Sequence, residues 1–229
     1  MLTYSTATDT LPSMTNSADF DRRVAMHAAL GEAVRLAIVD DLASSDRSPK
    51  ELCERHGLGT NLLAHHLDVL EHAGIVRRGI SSGDGRRRYV RLEREALMAL
   101  GVRASLPKGD VLFLCTHNSA RSQLAAALWT ACTGGQASSA GTHPSPRVHR
   151  GAIAAGRRVG LDLRGAEPRA VAAIQRATQV ITVCDRAHEE LSARANWWHW
   201  SIPDPVVDGS PAAFDAVVTE LTRRIEALA

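Results

Sequence analysis

Residues 115–122 read Cys-Thr-His-Asn-Ser-Ala-Arg-Ser, a thiol, a guanidinium and a hydroxyl within one short run. Residues 110–114, before it, form an apolar strand pattern, and residues 121–133 form a helical one. These types at this spacing suit oxyanion chemistry. A loop at a helix N-terminus turns backbone N–H groups inward as an anion cradle, here Thr116, His117, Asn118, Ser119, Ala120 and Arg121. Arg121 adds a planar fork that can grip two oxygens of a tetrahedral oxyanion. That positive field is expected to lower the pKa of Cys115 and make its thiolate a nucleophile. Ser122 can donate to the sulfur, and Asn118 tolerates the left-handed backbone of a tight loop. A buried cysteine at a strand end is the plainer alternative. Its position at the end of a parallel strand, where such sheets bind ligands, favours the catalytic reading.

The elements that must hold this loop alternate. Strands are predicted at 110–114, 136–141, 179–183 and 197–202, and helices at 121–133, 148–159 and 212–229. This pattern gives an α/β domain, a four-stranded parallel sheet with helices on both faces. Residues 19–92 follow a different pattern. Val24, Ala28, Ala33, Leu36, Ile38 and Val39 recur at helical spacing over 22–42. Ser48-Pro49 opens a short helix that Gly57 stops, and Thr60 can cap a second one ending before Gly74, with Leu62, Leu63, Leu67 and Leu70 inward. A hairpin follows, turning at Ser82-Gly83-Asp84-Gly85. Helix, tight turn, helix and two-stranded wing make an α+β winged helix-turn-helix. Two domains are therefore expected: a disordered leader (1–18), the winged helix (19–95), a linker (96–109) and the α/β domain (110–229).

The bulk properties of the 229 residues are permissive. Hydrophobic content of 45% with 23% charge describes a soluble globular chain, and a net charge of +2 is too mild to imply nucleic-acid binding alone. Lys50 and Lys108 are the only lysines, which reads as coding bias. No run approaches a membrane span, and the N-terminus has neither the basic start nor the apolar core of a signal peptide. A cytoplasmic protein with reduced thiols is expected. Cys53, Cys115, Cys132 and Cys184 show no zinc-type spacing, and no cofactor fingerprint is visible, so no bound metal or cofactor is predicted.

Cys-Thr-x-Asn-Ser-x-Arg-Ser-Gln (115–123), Ser-Ser-Ala-Gly-Thr (138–142) and Trp-Ser-Ile-Pro-Asp-Pro (200–205) resemble blocks of the thiol-coupled arsenate reductases. Those enzymes share the low-molecular-weight tyrosine phosphatase fold. The resemblance implies arsenate as substrate, Asp204 as general acid/base and Cys184 as the resolving thiol. Val206 stands where the tyrosine phosphatases carry an aromatic residue. Thioredoxin-coupled members place a third cysteine shortly beyond the second, and residues 186–200 contain none. Either Cys115 and Cys184 form the final disulfide, or a small thiol resolves the adduct. Thioredoxin, mycothiol with mycoredoxin, and glutathione all remain open as reductants. So does the choice between Cys184 and Cys132, although Cys132 reads as structural.

Residues 66–76, His-Leu-Asp-Val-Leu-Glu-His-Ala-Gly-Ile-Val, resemble the end of the recognition helix in ArsR/SmtB repressors. This implies operator DNA as a partner, with Thr60, Asn61 and His65 reading bases. Arg86, Arg87 and Arg88 would touch phosphates, although three arginines in a hairpin are equally a solvated turn. It also implies a homodimer, with a seam along 22–42 and 93–100. Cys53 alone remains where metal-sensing members carry Cys-x-Cys, so it is at most a partial As(III) ligand. The whole reads as an arsenate reductase fused to an ArsR-type regulator. The alternatives are a transcription factor whose C-terminal part only senses oxyanion or redox state, and a tyrosine phosphatase.

Overall fold

A computed structural model describes residues 17–93, 107, 109–172, 174, 178–191 and 196–228. The helix predicted over 22–42 is two helices, α1 (Ser17–Leu30) and α2 (Ala33–Ser44). Glu32 makes the break. Its backbone is extended and its carboxylate accepts the N–H groups of Val34 and Arg35 (3.0 and 2.9 Å), so a helix-favouring residue acts as a cap. The break rephases the apolar face: Met26 and Ala29 are buried, whereas Val24, Ala28, Ala33 and Leu36 are exposed.

α3 (Pro49–His56) begins with a full capping box between Ser48 and Glu51, and Gly57 ends it in the left-handed conformation (φ 64°). α4 (Thr60–His72) follows. Gly59 precedes it with no side-chain cap, so Thr60 is its first helical residue and not its cap. Leu63, Leu67 and Leu70 join the N-terminal core; Leu62 falls on the outer face of the helix and is exposed. Gly74 (φ 69°) leads to β1 (Val76–Ile80), antiparallel to β2 (Arg88–Leu92). Ser17 and Ala18 belong to α1, while the rest of the predicted leader, most of the linker and the 94–100 part of the dimer seam lie outside the described residues.

The C-terminal half runs β3 (Val111–Cys115), α5 (Arg121–Thr133), β4 (Ala137–Gly141), α6 (Arg150–Arg158), β5 (Gln179–Thr182), α7 (Asp185–Glu190), β6 (Trp198–His199), α8 (Pro205–Asp208) and α9 (Pro211–Glu226). The sheet order is β4-β3-β5-β6, all parallel, as predicted. Val111, Phe113, Cys115, Ile181 and Val183 face α5, α6 and α9, while Leu112, Leu114 and Val180 face the other side. α7 and α8 were not predicted because each is too short to show a period. β6 is shorter than the predicted strand. The strand order reverses between β3 and β5, which opens a crevice beyond their carboxyl ends. Cys115 ends β3 there, and Cys184 follows β5. No helix among the described residues is long and apolar enough to cross a membrane.

The halves meet through a polar joint. Asp46, 1% exposed, accepts the Ser201 N–H (2.7 Å) and two contacts from Arg224 Nη1 (3.1 and 3.2 Å). The Asp46 N–H donates to His199 O (2.6 Å), the His199 N–H to Ser45 Oγ (2.7 Å), and Trp200 Nε1 to Ser44 O (3.0 Å). The hairpin turn, read as the tip of a wing, is docked on α7: Ser82 N–H donates to Asp185 Oδ2 and Ser81 Oγ to Glu189 Oε1, both at 2.7 Å.

Candidate active site

The loop from Cys115 to Arg121 is fixed from outside. The carbonyls of Cys115, Thr116, His117 and Ser119 accept N–H groups of Thr142, His143, Ser145 and His149 at 2.8 to 3.2 Å. With its carbonyls tied from outside, the loop turns the Asn118 and Ser122 N–H groups to the Cys115 sulfur. Asn118 is the one non-glycine among the described residues with positive φ (47°). Its Oδ1 accepts from the Arg169 N–H (2.8 Å) and Gln123 Nε2 (3.2 Å), and its Nδ2 donates to Ser122 Oγ (2.8 Å). Sequence reasoning missed Arg169, and quoted Gln123 and Gly141 within motif blocks without giving them a role. A Cβ on Gly141 would lie 2.7 Å from Thr116 O and 2.9 Å from the Asn118 nitrogen, so β4 must carry glycine there for the loop to close. The small residues at 138–141 were the signal, but the close approach is tertiary.

Cys115 Sγ accepts the Asn118 N–H at 3.1 Å and lies 3.0 Å from Ser122 Oγ, as expected for a stabilised sulfur. The expected lowering of its pKa is overturned. Burial pushes the thiol up, outweighing Ser122 and Arg121, and charge on Cys184 would push it further. The residue is 2% exposed, and the guanidinium is committed elsewhere: Arg121 Nη2 donates to Asp204 Oδ2 (2.7 Å) and Nη1 to Ile202 O (3.0 Å). Asp204 is thus beside the cradle, at the N-cap of α8, where its other oxygen accepts the Val206 N–H (3.1 Å). An oxyanion entering the cradle would meet Arg121 already shared with this carboxylate.

Cys184 is the second buried thiol of the crevice. It caps α7, and its Sγ lies 3.2 Å from Thr116 Oγ1. Cys132 is exposed in the last turn of α5, at the far end of the helix from the cradle. Of the loop, only His117 is exposed; Thr116, Asn118, Ser119, Ala120 and Ser122 are buried. No large aromatic side chain is exposed among the described residues except Phe20 of α1, while Val206 and Val207 are exposed beside Asp204. No cluster of three metal-ligating side chains exists among the described residues, and Cys53 packs at the edge of the N-terminal core. Thr60, Asn61, His65, Arg86, Arg87 and Arg88 are exposed. Arg87 approaches Asp84 at 3.7 Å, and Arg88 pairs with Ile80 across the hairpin.

Residues 110–229 match the family model described as low molecular weight phosphotyrosine protein phosphatase. No curated protein matches the chain. Among solved structures it is similar to an arsenate reductase in the phosphate binding state, at 29% identity over 52% of this chain and 95% of that one, TM-score 0.45. The arsenate reductase of Archaeoglobus fulgidus is 28% identical over 52% and 97%, TM-score 0.43. A tyrosine phosphatase of Escherichia coli K30 in complex with sulphate is 24% identical over 51% and 93%, TM-score 0.47.

Proposed function

The chain belongs, through residues 110–229, to the low molecular weight phosphotyrosine protein phosphatase family, and on that premise we propose that it is an arsenate reductase joined to an ArsR-type DNA-binding half. The observation that carries the reductase reading is the second thiol. A phosphatase needs only water to resolve its cysteine adduct, whereas a reductase needs another sulfur. Cys184 is buried in the same crevice, in contact with cradle residue Thr116. The rim supports the same reading, because Val206 and Val207 offer no aromatic surface for stacking on a phosphotyrosine ring.

In this mechanism Cys115 gives up its thiol proton and its sulfur attacks arsenic to form an S–As bond, while an arsenate hydroxyl leaves as water with that proton, relayed by Asp204. The N–H groups of the loop and Arg121 hold the remaining oxygens. Cys184 then attacks Cys115 Sγ. An S–S bond forms, the S–As bond breaks, and its electron pair stays on arsenic, taking As(V) to As(III). An external thiol, either thioredoxin or a small thiol such as mycothiol or glutathione, returns the disulfide to two thiols.

For the N-terminal half, the exposed positions of Thr60, Asn61 and His65 on α4 and of Arg86 to Arg88 on the hairpin suit contact with DNA. A second copy of the chain pairing along 22–42, where Val24 and Leu36 are exposed, would give the dimer.

The deciding experiment is arsenate-dependent NADPH consumption coupled to thioredoxin or to mycothiol and mycoredoxin, with wild type, Cys115→Ser and Cys184→Ser. Hydrolysis of p-nitrophenyl phosphate runs alongside. Turnover lost in both variants establishes the reductase. Arsenate left unreduced while the ester is cleaved makes the protein a phosphatase.

A further inference from the structure

Gly83 is a glycine that its own backbone does not require. Its φ is not positive, unlike that of Gly57 or Gly74. What requires it is contact: a Cβ there would lie 2.7 Å from Arg186 N and 2.8 Å from Arg186 Cα, in the first turn of α7. The neighbouring hairpin residues grip both ends of that helix. Ser82 donates to Asp185 Oδ2 through its N–H (2.7 Å) and its Oγ (3.0 Å), and Ser81 Oγ donates to Glu189 Oε1. Asp185 is 1% exposed, and its Oδ1 meets His199 Nε2 at 3.2 Å. The residue immediately before Asp185 is Cys184.

We infer that the hairpin of the N-terminal half is a positioning element of the Cys115/Cys184 pair. Ser82 and Gly83 hold the first turn of α7 so that Cys184 faces the cradle, and joining the two sulfurs lifts the hairpin from its seat. The inference rests on the proposed pairing of Cys184 with Cys115. A disulfide brings its sulfurs to about 2.05 Å. Cys115 Sγ is held by Asn118 and Ser122 within a loop tied down at four carbonyls, so Cys184 is the partner that travels. Its Cα is linked to that of Asp185 over about 3.8 Å, so the carboxylate that receives Ser82 moves with it. The step converts two thiols to one disulfide with release of two electrons and two protons. Arsenic accepts the electrons in turnover, and an azo oxidant such as diamide accepts both in a test. Coupling is reciprocal, so loosening the hairpin must ease the excursion of Cys184. Because the same hairpin carries Arg86 to Arg88, the oxidation state of the C-terminal site reaches the exposed face of the N-terminal half.

The test is amide hydrogen exchange across residues 81–87 of the full chain, before and after diamide, with the Cys115–Cys184 bond checked by peptide mapping. Exchange in the hairpin is expected to rise about tenfold or more on oxidation, and to stay unchanged in diamide-treated Cys184→Ser. In the reduced protein, Gly83→Ala is expected to speed alkylation of Cys184 several-fold while Cys132, which is exposed, reacts as before. If the disulfide forms and hairpin exchange does not move, the coupling is overturned while the pairing stands. If no disulfide forms, the pairing falls and the inference with it. Unaltered Cys184 alkylation in Gly83→Ala overturns the clamp.

Discussion

Two buried polar regions of this molecule use the same groups to opposite ends. At the joint between the halves, Asp46, Arg224, Ser201 and the backbone around His199 bond to one another, while Arg91 Nε, 3.7 Å from Asp46, is buried without a hydrogen bond. In the cradle, the carbonyls of the loop are closed by residues 142–149, whereas the Asn118 and Ser122 N–H groups converge on one sulfur. The first arrangement fixes one geometry. The second gathers its donors around a nucleophilic atom. Buried polarity therefore reads as structure where it is reciprocated and as a site where it converges on such an atom.

The largest break in that comparison is at the sulfur. Cys115→Ser removes the group on which the cradle converges, and turnover with arsenate or a phosphate ester should fall at least about a thousandfold. The thermal midpoint should stay within a few degrees of wild type, because the substitution is nearly isosteric and the cradle's ties are backbone bonds. A large loss of stability would mean that the cradle is a structural network like the joint.

The joint should behave in the opposite way. Burial by itself would push the Asp46 carboxyl up, but Arg224, Arg91 and His199 outweigh it and hold it below the ordinary range. Asp46→Ala leaves Arg224, which is 3% exposed, with Glu220 (2.6 Å) as its remaining carboxylate partner, and should cost about 1.5–3 kcal/mol in urea unfolding. With the folded pKa depressed, the contribution of Asp46 is present above its unfolded value of about 3.9 and is lost as pH falls below that. The acid-induced loss of stability should accordingly be shallower in the variant. If Asp46→Ala unfolds like wild type, the halves are not held by this network.

Gly141→Ala tests whether the cradle depends on its neighbour strand. A methyl 2.7 Å from Thr116 O and 2.9 Å from the Asn118 nitrogen must displace the loop. Misplacement of that order costs up to about a hundredfold in a positioned site. Phosphate or arsenate affinity, read by calorimetry, should fall at least tenfold by that reasoning. A smaller effect is expected in the titration of the anion-free enzyme. Burial raises the Cys115 thiol, so its alkylation rate should still be climbing with pH beyond the ordinary thiol value of about 8.5. A plateau near neutral pH would show a thiolate already stabilised without an anion.

What was legible in the sequence follows from how local each cause is. The run from Cys115 to Ser122 is contiguous, so its residue types and its place between strand and helix declared the cradle, and the Asn118 backbone came with it. Ser48-Pro49 likewise announced a helix start, to which the structure adds the Glu51 half of a capping box. Glu32 misled, because a helix-forming glutamate and a capping glutamate look the same until the backbone turns. Arg121 was read as aimed at an oxyanion, but its partner Asp204 lies far along the chain. Asp46 carried no signal and Gly83 only that of a turn, since their partners, Arg224 and Arg186, lie in the other half. The expected thiol pKa failed for a related reason: loop composition shows the charges but not the burial that outweighs them.

The smallest effect is expected at the remaining cysteine, and it sharpens the division between the two halves of the α/β crevice. Cys132 lies in the last turn of α5, whose first residue is Arg121 of the cradle. Along a helix axis that separation is about 16 Å, at 1.5 Å per residue, far beyond the reach of a disulfide. Cys132 is also exposed, whereas Cys115 and Cys184 are buried together beyond β3 and β5. Cys132→Ser should therefore leave arsenate turnover within about a factor of two of wild type, as surface substitutions generally do, whichever thiol system regenerates the enzyme. A large loss with thioredoxin but not with a small thiol would assign Cys132 to delivery of electrons from the surface. The crevice would then not be self-sufficient, and Cys184 would pass its oxidation outward rather than hold it.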